Sequence, residues 1–95
     1  MDTATASDII QALDYQHQTD TSSGGYFLPM IHVNGMWVNV LEVAASPNEK
    51  AILVTTAAGT TAHTVSACPV MIRRAQAGFE KAPVFKYNPA NVHKP

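Results

Sequence analysis

The residues best suited to chemistry are four histidines and one cysteine: His17, His32, His63, His93 and Cys68. Protein metal sites usually draw on such side chains at short fixed spacings, of the Cys-x-x-Cys, His-x-x-x-His or His-Glu-x-x-His type. None of these patterns occurs in the chain. We therefore predict neither a metal site nor a bound cofactor.

Catalytic pairings are equally sparse. Cys68 with His32 or His63 would supply a thiolate–imidazole pair, but a lone cysteine beside small residues is more typical of an apolar filler. General acid–base catalysis needs two groups within reach of one substrate, and only Glu42 and Glu49 lie near the predicted strands. No phosphate-binding Gly-Lys-Ser/Thr motif is present. The sequence thus predicts no catalytic residues, and a non-enzymatic protein is the favoured interpretation.

The candidate binding residues surround an Asn-Gly dipeptide in YFLPMIHVNGMWVNVLEV, residues 26–43. Asn34-Gly35 between apolar runs predicts a hairpin with a type I′ turn, because both central residues of that turn need positive φ. A two-residue loop sets the register of the two strands. The predicted pairs are Val33 with Met36, His32 with Trp37, Ile31 with Val38, and Met30 with Asn39.

Both faces of this hairpin are mostly apolar. One carries Ile31, Val33, Met36, Val38 and Val40, and the other carries Leu28, Met30, Trp37 and Leu41 with His32 and Asn39. A hairpin with one face in water alternates apolar and polar residues more clearly, so we expect the second face to be covered by the N-terminal helix, a barrel wall or another copy of the chain. The predicted binding residues are Met30, His32, Trp37, Asn39 and Leu41, with the basic pair Arg73 and Arg74.

Other elements must position this hairpin. Ser7 is a suitable N-cap for a helix over about residues 8–16, with Ile9, Ile10 and Leu13 as its packing stripe, followed by a flexible loop to Gly25. Pro29 falls opposite Val40 and lacks an N–H, which predicts a bulge, an edge or a strand start there. Further strands are expected over residues 51–57 and 63–68, with turns at residues 46–49 and at Gly59.

The last third of the chain permits two interpretations. Residues 70–79 favour a short helix after Pro69, but a turn followed by a strand over residues 71–75 is the alternative. From Glu80 onward, prolines indicate an extended tail in which Phe85 and Tyr87 anchor on a neighbouring surface. The predicted domain plan is a disordered N-terminus over residues 1–6, one globular domain over residues 7–80 and an extended tail over residues 81–95.

The expected fold class is α+β or mainly β: an N-terminal helix packed on a four- to five-stranded antiparallel meander, with an SH3-like small barrel as one form of it. TVSACPVMIRRA, residues 64–75, resembles the end of the type II dihydrofolate reductases, where a strand leads through a proline turn into a last short strand. The family's Val-Gln-Ile-Tyr run is Val65-Ser66-Ala67-Cys68 here. The resemblance therefore implies the fold element and not the activity.

Charge and composition narrow the classes of protein. The 95 residues are 46% hydrophobic and 14% charged, which indicates one globular domain. Six acidic residues and one lysine give residues 1–62 a net charge of −5, whereas residues 63–95 carry +4. The single cysteine and the polar start of the chain predict a cytoplasmic protein. The sequence contains no run of about 18 apolar residues, which is the length that a membrane-spanning helix needs.

Two functional hypotheses follow, with a third behind them. The favoured one is a small interaction protein that associates with itself or with another protein, of the kind encoded by phages and mobile elements. The second is a nucleic-acid-binding module that uses the basic C-terminal third, which salt-dependent binding would reveal. The third is an enzyme whose site is shared between copies of an oligomeric small barrel.

Overall fold

The computed structural model describes residues 4–75 and 84–87. Residues 1–3 of the expected disordered start, residues 76–80 of the segment with two interpretations and most of the expected tail lie outside the described residues, as does His93. The domain boundaries therefore stay predictions.

The chain begins with one helix, α1, over Ala6–Ser22. Its N-cap is Thr5, whose hydroxyl accepts the Asp8 N–H at 3.1 Å while the Asp8 carboxylate accepts the Thr5 N–H at 3.0 Å. This capping box satisfies two backbone donors that a helix start leaves without partners. The predicted cap at Ser7 is wrong, because Ser7 lies inside the first turn and is fully buried.

The helix also extends past its predicted end at residue 16. Its polar final turns lack an apolar stripe, but His17 fixes them to the sheet: Nε2 lies 2.9 Å from the Phe27 carbonyl oxygen, and the ring lies 5.9 Å from that of Phe85. Tertiary contacts of this kind stabilise helices whose local sequence does not favour them. The predicted loop over residues 17–25 is therefore helical as far as Ser22.

Replacing Thr5 by alanine is expected to lower the free energy of unfolding by about 1 kcal/mol, because the Asp8 N–H then loses its acceptor. Thr5→Ser is the matched control, since serine keeps the hydroxyl and caps at least as well. Urea denaturation of both variants measures the difference. Equal losses in the two variants would contradict the role assigned to the hydroxyl.

Seven strands follow the helix among the described residues. They are β1 (Phe27–Val33), β2 (Met36–Asn39), β3 (Glu42–Ala45), β4 (Ala51–Thr56), β5 (Gly59–Thr64), β6 (Met71–Arg74) and β7 (Val84–Lys86), with a 3-10 helix at Val65–Ala67 between β5 and β6. They form a three-stranded sheet of order β2-β1-β6 and a four-stranded sheet of order β5-β4-β3-β7.

The predicted hairpin is confirmed in turn and register. Asn34 and Gly35 have φ values of 50° and 81°, as a type I′ turn requires. The four predicted residue pairs, from Val33 with Met36 to Met30 with Asn39, are those observed between β1 and β2. The dipeptide and the two-residue loop were sufficient to fix this ribbon.

Pro29 accounts for the division into two sheets. Val40 donates its N–H to the Pro29 carbonyl at 3.0 Å, but Pro29 has no N–H to return, and the β1–β2 pairing ends there. The next residue, Leu41, donates to Thr55 at 2.8 Å in the second sheet. The chain after the turn is thus divided between β2 and β3, and Glu42 pairs with Thr55 in the second sheet.

Two further expectations for the strands required correction. Residues 71–74 form β6, which pairs antiparallel with β1, so the alternative of a turn and strand is confirmed there and the favoured helix is not. β5 occupies residues 59–64, and residues 65–67 are a 3-10 helix instead of the end of a strand. The turn at residues 46–49 is present, closed by a 3.0 Å bond from the Glu49 N–H to the Ser46 carbonyl.

The core lies where α1 packs against both sheets. Its buried members are Ala6, Ile10, Ile31, Val40, Val43, Ile52, Val54 and Val70. Phe85 and Tyr87, the expected anchors of the tail, pack against this cluster within the same chain. The helix and the two mostly antiparallel sheets make an α+β fold, and the described strands do not close into a barrel. None of the described helical residues forms a segment long and apolar enough to cross a membrane.

Candidate binding surface

The three-stranded sheet has one face toward the core and one away from it. Side chains alternate along a strand, so Ile31 and its partner Val38 point toward the core cluster while their neighbours point away. Pairing with β2 and β6 then assigns the outward set. We call it the Trp37 face; it comprises Leu28, Met30, His32, Trp37, Asn39, Met71 and Arg73.

Two side chains contact the Trp37 ring on this face. The guanidinium carbon of Arg73 lies 4.2 Å from the Trp37 ring centroid, a cation–π contact. The His32 ring lies 5.1 Å away, edge-on at 61°. Trp37 remains 38% exposed. The result is an aromatic platform with a positive charge on it and an accessible apolar surface.

The side chains of the Trp37 face differ in how deeply they are buried. Leu28 and Met30 are buried, with 1% and 7% of their surfaces exposed, whereas Met71 is 52% exposed. Met30, one of the predicted binding residues, is therefore a packing residue in the isolated chain. Met71 was missed, because residues 70–79 favoured a helix; the alternation in Met71-Ile72-Arg73-Arg74 was the available signal for a strand.

Asn39 brings a polar atom to this surface. Its Oδ1 is shielded from solvent and has no hydrogen-bond partner among the described residues. A carbonyl oxygen in that state has lost water without gaining a donor, which costs about 1–3 kcal/mol.

Leu41 and Arg74 are separated from the rest of the predicted set. Leu41 lies at the bend between the sheets, where its N–H binds Thr55 and its carbonyl accepts the Val84 N–H at 3.2 Å. Arg74 is on the opposite face of β6 from Arg73 and covers the Phe27 ring at 5.1 Å. The basic pair read from the sequence is thus divided between the two faces of the sheet.

The outer edge of β2 belongs to the same surface. The 3.0 Å bond from Val40 to Pro29 fixes the alternation of the ladder, in which Met36 and Val38 bond to β1. The N–H and C=O groups of Trp37 and Asn39 therefore point away from β1. β2 is at the end of its sheet among the described strands, so these groups face outward.

Those of the remaining candidate residues that the structure describes do not form a reactive site. Burial raises the pKa of the Cys68 thiol, against a smaller lowering by its hydrogen bond with the Val70 backbone, which leaves little nucleophilic thiolate at neutral pH. His63 Nε2 lies 2.8 Å from the Thr61 hydroxyl. Within residues 4–75 and 84–87, no group of three or more His, Cys, Asp or Glu side chains is placed to hold a metal ion.

A concavity lies beside the start of α1. It is an open cleft of about 720 Å³ lined by Ala4, Thr5, Ile9, Asn48, Glu49, Lys50, Thr64, Val65 and Ser66. The Glu49 carboxylate is engaged by the Ser7 N–H and hydroxyl, both at 2.8 Å. Because this acid is used to hold the helix start, the cleft offers no carboxylate positioned for catalysis.

Comparisons with protein-family models, with curated proteins and with solved structures returned no match to this chain.

Proposed function

We propose that the protein is a non-enzymatic interaction protein that associates with itself through the exposed end of the β1–β2 hairpin. The observation that carries the proposal is the outer edge of β2. Its sequence, Met36-Trp37-Val38-Asn39, has neither a charged residue nor a proline. Unpaired backbone groups on such an edge readily pair with another strand.

The other sheet edges among the described strands are protected or hydrated. β6 carries Arg73 and Arg74, and charged side chains discourage strand addition. β7 is three residues long and contains Lys86. Three of the six residues of β5, Gly59–Thr64, are threonine and none is a large apolar residue, so pairing there would bury little apolar surface. Among these edges, β2 is the one that combines large apolar side chains with the absence of any charged residue.

Exposed apolar side chains cluster at the same end of the hairpin. Val33 and Met36, which are cross-strand partners, are 41% and 68% exposed, and Trp37 is 38% exposed on the other face. Tryptophan and methionine are enriched in protein interfaces. Contact with a second protein surface would remove this apolar area from water, which is the main driving force for association.

The competing hypothesis of nucleic-acid binding has weaker support. An electrostatic groove needs several cations on one surface, but Arg73 and Arg74 lie on opposite faces and each covers an aromatic ring. An enzyme with a site shared between copies has no described cluster of catalytic groups to share. Self-association through β2 requires neither a basic groove nor a cluster of catalytic groups.

Size-exclusion chromatography with light scattering over a concentration series tests the proposal. The parent chain should show a mass above that of one 10.2 kDa copy, increasing with concentration. Met36→Lys should weaken association by about tenfold or more, because a charge at an apolar interface must be desolvated. Since Met36 is largely exposed, the variant should remain folded by circular dichroism.

Ala62→Lys is the matched control. It adds the same charge to the exposed, uncharged edge strand β5, away from the hairpin, and should leave the mass distribution unchanged. A parent chain that is monomeric at millimolar concentration would refute self-association. Equal effects of the two lysines would refute the assignment to β2.

A further inference from the structure

We infer that two copies pair antiparallel through β2 about a two-fold axis at Val38, so that Trp37 of each copy lies opposite the partner's Asn39. This inference rests on the proposed self-association and specifies its geometry. A closed two-fold dimer uses the same patch on both copies. The paired edges would join the two three-stranded sheets into one of six strands.

The register follows from which backbone groups are available. Trp37 and Asn39 direct their N–H and C=O groups outward. With the axis at Val38, Trp37 of one copy lies opposite the partner's Asn39, and each such pair exchanges two backbone hydrogen bonds. The two symmetric pairs together supply four bonds and satisfy every outward group of β2.

The neighbouring registers are worse for reasons that the fold provides. An axis at Trp37 would pair Asn39 with the partner's Gly35, which is in the turn at φ 81° and is not extended. An axis at Asn39 would pair Trp37 with the partner's Leu41, whose N–H and C=O already bind Thr55 and Val84. Each shift loses two of the four backbone bonds.

A second observation agrees with the same register. Directly opposite residues of an antiparallel pair have side chains on the same face, with Cβ atoms about 4.5–5.5 Å apart. Trp37 and the partner's Asn39 are such neighbours. Trp37 is 38% exposed in the single chain, and this register places the partner's Asn39 side chain beside it. Pairing therefore covers part of the exposed indole ring on both sides of the axis.

Val38 is well placed for a cross-linking test. Val38 of each copy would form a non-hydrogen-bonded pair across the axis, with Cα atoms about 4.5 Å apart, which is within the range of a disulfide. Met36 of the two copies would be displaced by four residues, about 13 Å along the strand. Val38→Cys and Met36→Cys, each with Cys68→Ala, therefore differ sharply in expected cross-linking.

In a glutathione redox buffer, Val38→Cys should form the covalent dimer at least about tenfold faster than Met36→Cys, because only the former holds its thiols together. Collision without a fixed register would give the reverse order, since Met36 is 68% exposed and Val38 is partly buried. If the parent is a dimer but Met36→Cys cross-links as fast or faster, the register is wrong and the proposed function stands. A monomeric parent refutes both.

Amide hydrogen exchange on the unaltered protein gives an independent measurement that does not depend on a variant folding. The backbone amides of Trp37 and Asn39 should become protected as concentration increases. The Val38 amide, which bonds to β1, should be protected at every concentration. Protection that increases elsewhere while Trp37 and Asn39 continue to exchange rapidly in the dimer would overturn the inference.

Discussion

Met30→Glu is expected to unfold most of the protein. It should not simply dissociate an oligomer into folded monomers. Met30 is 7% exposed, so the new carboxylate would be buried or would have to take up a proton, at a cost of several kcal/mol. A domain of this size has about 5–10 kcal/mol of stability, so the loss removes much of it. Urea unfolding followed by far-UV circular dichroism measures the effect.

Two variants make this result specific to burial. Met30→Leu keeps the apolar volume and should cost less than about 1.5 kcal/mol. Trp37→Glu places the same charge on a side chain that is 38% exposed and should leave a folded, monomeric protein. If Met30→Glu remained as stable as Trp37→Glu, Met30 would have to face solvent, contrary to the packing described above.

Glu49→Ala is the second substitution for which we expect a large loss, about 3 kcal/mol of unfolding free energy. The carboxylate accepts hydrogen bonds from the N–H and the hydroxyl of Ser7, which is fully buried. Buried donors deprived of a charged acceptor cost about 1–3 kcal/mol each. Thermal and urea denaturation should both report the loss.

The backbone of Glu49 supplies an unusual control. Its φ is 63°, in the left-handed region that disfavours residues with a Cβ by about 1 kcal/mol. Glu49→Gly removes the carboxylate but relieves this strain, so it should be more stable than Glu49→Ala. Glu49→Gln, which keeps one carbonyl oxygen, should lie between alanine and the parent. Glycine as destabilising as alanine would show that the strain is unimportant.

Local signals in the sequence were sufficient for the hairpin, because its turn is a property of two adjacent residues. Asn34-Gly35 determined both the turn and the register, and Pro29 indicated where the ladder would weaken. The consequence of that weakening was not predictable in detail. Whether Leu41 continues along β1 or crosses to β4 depends on Thr55, a partner distant in the sequence.

The predictions of the helix end and of a helix at the position of β6 were wrong for the same physical reason. Residues 17–22 have little apolar periodicity, and their helix depends on the contacts of His17 with Phe27 and Phe85. Arg73 and Arg74 favour helix by intrinsic propensity, but in the fold Arg73 lies over the Trp37 ring of β2 and Arg74 over the Phe27 ring of β1. Propensity is a weak term, and tertiary contacts outweighed it in both places.

The candidate surface was likewise predictable in part from local sequence and in part only from the tertiary structure. His32, Trp37 and Asn39 were placed on one face by the hairpin alone, and the register confirms that placement. The separation of Arg73 from Arg74 required the knowledge that β6 is a strand, since adjacent residues point to opposite faces only in that geometry. Met71 joins the surface for the same reason.

The parallel pairing of β7 with β3 has a consequence for synthesis on the ribosome. β3 and β4 can meet as a hairpin as soon as they emerge, but the far edge of β3 and the seat of Phe85 against α1 must await residues 84–86. Until then the nascent domain leaves apolar surface and a strand edge open to chaperones or to neighbouring chains. A chain truncated before Val84 would keep that strand edge and that apolar surface exposed.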